Sequence, residues 1–237
     1  MASSSLAQIL GKKPSFTFNA SESDKPNREV ALRQYKSRAG VYNFEIAFAE
    51  PIRRVCVARL RLKPGEMVLD VACGTGLSFR RLRQQVGPQG QVIGIEQSAE
   101  MIEQARDLIK RESWTNVELI HAPVEKAVIP HDTDAALFHF THDVLCSPKA
   151  VRNVLRAMKP GGRIVAAGLK WAPAWAVPVN IAVFYAAARS ITALEGLETP
   201  WKHLAEMIPD LRVQSLGGGI YIADGTVPAE LSTGRAA

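Results

Sequence analysis

A chain of 237 residues is long enough for one domain with a sizeable core, with room for a small helical cap. Its hydrophobic and charged fractions, 47% and 22%, are those of an ordinary soluble enzyme, and no run of about eighteen uninterrupted apolar residues suggests a membrane span. The net charge of +6 is uneven, with twelve lysines and arginines ahead of the first expected strand; lacking an interleaved aromatic array or zinc pattern, they read as solvated helix faces rather than a nucleic-acid footprint.

The first residues, through Pro26, are rich in Ser, Lys, Asn and Pro and are expected to be mobile. Met1 to Leu10 has neither a basic start nor a long apolar centre, so no secretory signal is expected. Cys56, Cys73 and Cys146 are widely spaced and form no paired metal motif, which reads as reduced thiols in a cytoplasm and no metal site. From Asn27 the pattern suggests short helices carrying Tyr35 and Tyr42. Glu50-Pro51 then opens a helix with Ile52, Val55, Cys56 and Leu60 on one face, and Lys63-Pro-Gly65 ends it.

Met67 to Asp70 is a short apolar strand that ends in an acid and opens into Val-Ala-Cys-Gly-Thr-Gly76, with a helix expected from Leu77 to Val86. Strand, glycine loop and helix in that order make the first βα unit of a nucleotide-binding sheet, in which Gly74 and Gly76 let backbone N–H groups approach a ligand. A dinucleotide fingerprint would place a third glycine where this chain has Phe79. A second strand, Gln91 to Glu96, ends in another carboxylate roughly twenty residues past the loop, where doubly wound folds set an acid on a ribose diol. One carboxylate can accept from both hydroxyls, which makes Glu96 the expected ribose ligand.

Ser98 caps the next helix, followed by strands over Asn116–His121 and Asp134–His139. Ser147-Pro148 begins another helix, and Lys159-Pro-Gly-Gly162 leads into a strand over Arg163–Gly168. Trp171, Trp175, Phe184, Tyr185 and Trp201 then crowd one segment, either walling an apolar pocket or covering the sheet. Asp210–Leu216 and Gly219–Asp224 form a closing strand pair around a glycine turn.

From Leu62 to the last strand the sequence resembles the class I S-adenosylmethionine (SAM)-dependent methyltransferases, on Asp70-Val-Ala-Cys-Gly-Thr-Gly76, Glu96 and the Pro-Gly-Gly turn. The resemblance implies a Rossmann-like α/β fold with a seven-stranded, mostly parallel sheet in the order 3-2-1-4-5-7-6, helices on both faces, and an N-terminal helical lid. Residues 1–62 would form that leading segment and 63–237 the catalytic domain. The implied cofactor is SAM, with Asp70, Ala72, Cys73, Gly74 and Gly76 at its methionine end and Glu96 and Gln97 at its ribose. Met101, Ala122 and Val124 would border the adenine. Many relatives place an acid near Ala122; this chain offers none before Glu125. Cys73 serves as a small loop residue rather than a nucleophile.

The C-terminal edge of the fourth strand should border the reacting centre, which singles out Phe140, Thr141, His142 and Asp143. Tyr42, from the lid, could place a ring near the sulfonium. His142 or Asp143 could take a proton from an acceptor, Asp143 orienting His142, while His139 reads as a buried, hydrogen-bonded strand residue. The expected reaction is methyl transfer to a small, partly apolar acceptor by in-line displacement. Nucleic acid is disfavoured, since His139-Phe-Thr-His-Asp143 lacks the Asn- or Asp-Pro-Pro-aromatic signature of nucleic-acid amino-methyltransferases. The alternative is a SAM-consuming cyclase of the same fold, in which the α-amine attacks the γ-carbon to give azetidine-2-carboxylate and methylthioadenosine. Two further readings are a SAM-fold binding protein without turnover, disfavoured by the intact loop and ribose acid, and docking of Trp171–Ala188 on a membrane that holds a quinone or lipid acceptor.

Overall fold

The computed structural model describes residues 49–191 and 194–232. Tyr35, Tyr42 and the leading helical segment lie outside them. Seven strands form one sheet: β1 (Met67–Val71), β2 (Gln91–Glu96), β3 (Val117–His121), β4 (Thr133–His139), β5 (Met158–Leu169), β6 (Arg212–Leu216) and β7 (Ile220–Thr226), in the order β3-β2-β1-β4-β5-β7-β6. The five strands from β3 to β5 are parallel, and β7 runs antiparallel to both β5 and β6, as expected from the sequence.

Alternation along the strands divides the core into two layers. Leu69, Val71, Ile93, Ile95, Ala136 and Phe138 pack on one face of the sheet. Val68, Val92, Ala135, Leu137, Val165 and Ala167 pack on the other, under α1 (Glu50–Arg59) and α2 (Phe79–Val86). The central strands are buried on both faces, which is why they read as nearly continuous apolar runs. Ser98 caps α3 (Ala99–Arg111) by accepting from the Met101 N–H at 3.3 Å. Ser147 does the same for α5 (Pro148–Ala157), after the short α4 (His142–Leu145).

Several expectations need correction. In α1, Arg53, Cys56 and Val57 are buried together with the following Leu60, an i, i+3, i+4, i+7 stripe, whereas Val55 is 43% exposed. A basic residue expected on a solvated face therefore lies inside. The second helix starts at Phe79 rather than Leu77, because the loop first closes two tight turns, Gly76 N–H to Cys73 O and Phe79 N–H to Gly76 O, each at 3.0 Å. Strand β5 begins at Met158, so Lys159-Pro-Gly-Gly162 is a bulge within it: Thr133 pairs with Met158 and Ala135 with Arg163.

The aromatic segment forms no single wall. Trp201 packs on the buried Tyr221 ring, 4.8 Å between centroids, and Trp171 packs against a small cluster of Ala187, Ile191 and Leu197. Trp175, Phe184 and Tyr185 face solvent on and before α6 (Val177–Ser190). The remaining helices are α7 (Lys202–Met207) and α8 (Ala229–Ser232). Among the described residues no helix is long and apolar enough to cross a membrane.

Candidate active site

The loop after β1 is built by backbone geometry. Ala72, Gly74 and Gly76 all have positive φ, 53°, 56° and 83°. At Gly76 a Cβ would lie 2.5 Å from two ring carbons of Phe79, a fully buried core residue that has nowhere to move. The Gly76→Ala protein is thus expected to lose about 2–4 kcal/mol of stability, from backbone strain plus overpacking, read as a lower urea midpoint. An unchanged midpoint would mean that the loop is not held this tightly.

Two carboxylates organise this loop. Glu96, at the end of β2, accepts from Gly74 N–H (3.0 Å) on Oε2 and from the Gln97 and Ser98 N–H groups (2.8 and 2.7 Å) on Oε1. It therefore clasps the loop to β2, alongside the Cys73 N–H that reaches Ile95 O at 2.9 Å. Burial raises its pKa, and the three backbone donors pull it back down. The Cys73 thiol is pushed well above its ordinary range by burial and then by Asp70 and Glu96, which leaves it a neutral packing group.

Asp70 follows Val68 on the α1 face of β1, and the same pleat sets His139 beyond Ala135 and Leu137 on the neighbouring β4. Burial lifts the Asp70 carboxyl to about 7; Arg53 and a hydrogen bond with the Ser78 side chain oppose that rise, while Glu96 adds to it. Burial, then Arg53, pushes His139 down to about 3, so its imidazole is neutral at working pH. The ring of His139 lies 4.9 Å from that of Phe140, whose backbone has φ 58° and whose N–H reaches Ala167 O at 2.7 Å.

Arg53 is the residue that the sequence reading missed. Only 3% exposed, it pairs with Glu50, and its electrostatic influence reaches both Asp70 and His139. The i, i+3, i+4, i+7 stripe it shares with Cys56, Val57 and Leu60 was the signal that could have found it.

His142 is buried at the start of α4, with Nε2 2.9 Å from the Glu195 carbonyl and 3.4 Å from Cys146 Sγ. A carbonyl only accepts, so Nε2 carries a proton, and the neutral form of the ring is the tautomer with its lone pair on Nδ1. The Glu195 carbonyl takes the orienting place that the sequence reading gave to Asp143. Asp143 itself is half-buried on the same short helix.

Side chains along this edge share one property. Arg53 Nε, Asp70 Oδ2, His139 Nε2, Thr141 Oγ1 and His142 Nδ1 are buried polar atoms without a hydrogen-bond partner among the described residues. Such atoms are costly in a finished core, by about 1–3 kcal/mol each, and their concentration at the C-terminal ends of β1 and β4 marks a place built to receive polar groups. Met101 is 2% exposed on the first turn of α3. The Ala122 N–H is taken by Glu96 O (3.1 Å), and the carbonyl of the buried Val124 by Asn153 Nδ2 (2.8 Å), so these backbone groups are already engaged. Gln97 is half-buried beside Glu96. Among the described residues no cluster of His, Cys, Asp or Glu could hold a metal ion.

Residues 62–187, more than half of the chain, match the family model described as a methyltransferase domain. An uncharacterized 37.1 kDa protein in transposon TN4556 of Streptomyces fradiae is 37% identical over 127 residues, covering 52% of this chain and 36% of that protein. The ubiquinone/menaquinone biosynthesis C-methyltransferase UbiE of Methylococcus capsulatus is 32% identical over 152 residues, covering 61% and 60%. The match thus spans less than two thirds of either relative. A SAM-dependent methyltransferase from Aquifex aeolicus superposes with a TM-score of 0.54 at 20% identity, covering 83% of this chain and 98% of that one, which is a likeness of fold. With the family model, the strand order and the acid-bracketed glycine loop in agreement, the chain belongs to the class I S-adenosylmethionine-dependent methyltransferase family.

Proposed function

We propose that the protein binds SAM along the C-terminal ends of β1, β2 and β4 and transfers its sulfonium methyl group to a small, partly apolar acceptor. The observation that carries this reading is the set of unpartnered buried polar atoms beside the glycine loop. They complement an amino-acid zwitterion: the Asp70 carboxylate suits an ammonium, and the Arg53 guanidinium suits a carboxylate. Glu96 Oε2, with one bond to Gly74, keeps acceptor capacity for a ribose hydroxyl. The base is assigned to the end of the site where Met101 and Val124 are buried and Ala122 and Gln97 are half-buried.

SAM supplies an electrophilic methyl carbon: the acceptor's electron pair forms the new bond while the C–S pair leaves on sulfur as a neutral thioether. The chain's own work is to bind, orient and keep water away. His139, held neutral beside Phe140, adds no charge to a site in which positive charge disappears. An acceptor that must lose a proton has His142 Nδ1 or Asp143 to receive it. Tyr42, on the leading segment, remains the candidate for closing over the sulfonium.

The test is to incubate the purified full-length protein with SAM, alone and with phenolic or quinol acceptors, and to follow products by mass spectrometry against a heat-inactivated control. S-adenosylhomocysteine that appears only with an acceptor is the expected result. Methylthioadenosine with azetidine-2-carboxylate from SAM alone would replace methyl transfer by the intramolecular cyclase. SAM binding without either product would point to the non-enzymatic binder.

A further inference from the structure

Helix α1 opens on Glu50-Pro-Ile-Arg53, and α2 opens on Phe79-Arg80-Arg81. An acid in a first turn agrees with the helix dipole, whereas two cations and no acid there oppose it, so the arginines of α2 need partners outside their own helix. Each has one. Arg80 pairs with Glu112 at 2.8 Å, and Arg81 reaches across to Glu50, its Nε and Nη2 lying 2.7 and 2.5 Å from the same oxygen, Oε1. The other oxygen, Oε2, accepts from Arg53 Nη1. One carboxylate therefore holds two guanidinium groups, one oxygen for each, and ties the helix that follows the glycine loop to the helix that carries Arg53. Burial tends to raise the Glu50 carboxyl, but the hydrogen bonds and charges of Arg81 and Arg53 prevail and hold it below the ordinary carboxylate range.

The network is lopsided. Arg53 is buried, whereas the Glu50 and Arg81 side chains are 40% and 36% exposed. Two guanidinium groups against one carboxylate leave a positive charge over, and the buried arginine is the one with an unused donor, Nε. Asp70 lies within electrostatic reach of Arg53 but does not satisfy it, since Asp70 Oδ2 lacks a partner among the described residues as well. Ion pairs as open to water as Glu50 and Arg81 add little to stability. Their effect is on orientation: held at Nη1, the planar Arg53 guanidinium keeps one attitude, and with it the direction of its free Nε–H. Glu50 by itself could turn into solvent, and the two bonds from Arg81 keep it in place. We infer that Glu50 and Arg81 are positioning residues for the carboxylate of SAM, acting through Arg53. This rests on the assignment of that carboxylate to Arg53 under the proposed function.

The experiment is calorimetry of the purified full-length protein with SAM and with decarboxylated SAM, which keeps the adenosine, sulfonium and ammonium and lacks only the carboxylate. An amide has one acceptor oxygen where a carboxylate has two, so Glu50→Gln can keep one arginine and must release the other. Glu50→Gln and Arg81→Gln are each expected to weaken SAM binding about tenfold, to change the binding of decarboxylated SAM by less than about twofold, and to leave the melting temperature nearly unchanged. Arg81→Lys, which keeps the charge but loses the fork, should recover part of the affinity. A double-variant cycle gives the readout that a merely structural pair would not: in Arg53→Gln, itself expected to lose SAM affinity, adding Glu50→Gln or Arg81→Gln should cost nothing more. Unchanged SAM affinity in both single variants, an equal loss for both ligands, or a loss that persists undiminished beside Arg53→Gln would each overturn the inference. If Arg53→Gln by itself binds SAM as the wild type does, the carboxylate assignment fails and the inference with it. Because no turnover is read, methyl transfer stands or falls separately.

Discussion

Asp70→Asn is expected to stabilise the ligand-free protein at pH 8 while weakening SAM binding by about 100-fold or more. The Asp70 carboxyl is buried, with a folded-state pKa of about 7 against an ordinary value of 3.8. Between these values the folded chain holds a proton that the unfolded chain has released. Stability from this group is therefore fully present below pH 4 and lost as pH rises through 7, a penalty of up to about 4 kcal/mol in the alkaline limit. Asparagine has no charge to desolvate, so thermal melts should favour the variant at pH 8 and converge with the wild type at pH 4. If Asp70 receives the ammonium of SAM, binding below pH 7 must release its proton, and wild-type affinity should rise by up to about tenfold per pH unit as that limit is approached. Calorimetry in buffers of different ionisation enthalpy reads that proton directly. A variant less stable than wild type at pH 8 would sink the burial argument; undiminished affinity would remove Asp70 from the cofactor site.

Glu96→Gln should cost SAM affinity about 10- to 100-fold with a fall of only a few degrees in melting temperature. The amide oxygen can still accept from Gln97 and Ser98, as Glu96 Oε1 does, but the amide nitrogen then faces the Gly74 N–H, donor against donor. The variant thus releases the glycine loop while sparing the end of β2. Glu96→Ala is a blunter change: it strands three backbone donors at about 1–3 kcal/mol each, a large share of the 5–15 kcal/mol typical of a domain. Isothermal calorimetry with parallel melts separates the two effects. If glutamine leaves affinity unchanged, Glu96 clasps the loop without holding the cofactor.

The strands, the glycine loop and the two strand-end acids were legible in the sequence because each is written locally, whereas the strand order came from the resemblance to a known family. Alternating apolar residues, a glycine at a positive φ and a serine three residues ahead of its capped N–H need only near neighbours to be recognised. What was not legible depended on faces meeting across the sheet. Arg53 looked like one more surface base until α1 packed against β4 and β5 and brought it within electrostatic reach of Asp70; His142 gained its tautomer from Glu195, more than fifty residues away in the chain. The aromatic run after β5 could equally line a pocket or cover the sheet, since periodicity names a helix's stripes without saying which one a neighbour will bury. Packing decided that: Val183 fits against the glycine turn and Ala187 against Ile191 and Leu197, and the large apolar stripe is left outside. Sequence alone determined the elements and their family, whereas the pairing of distant surfaces determined which charges are buried and which apolar groups remain exposed.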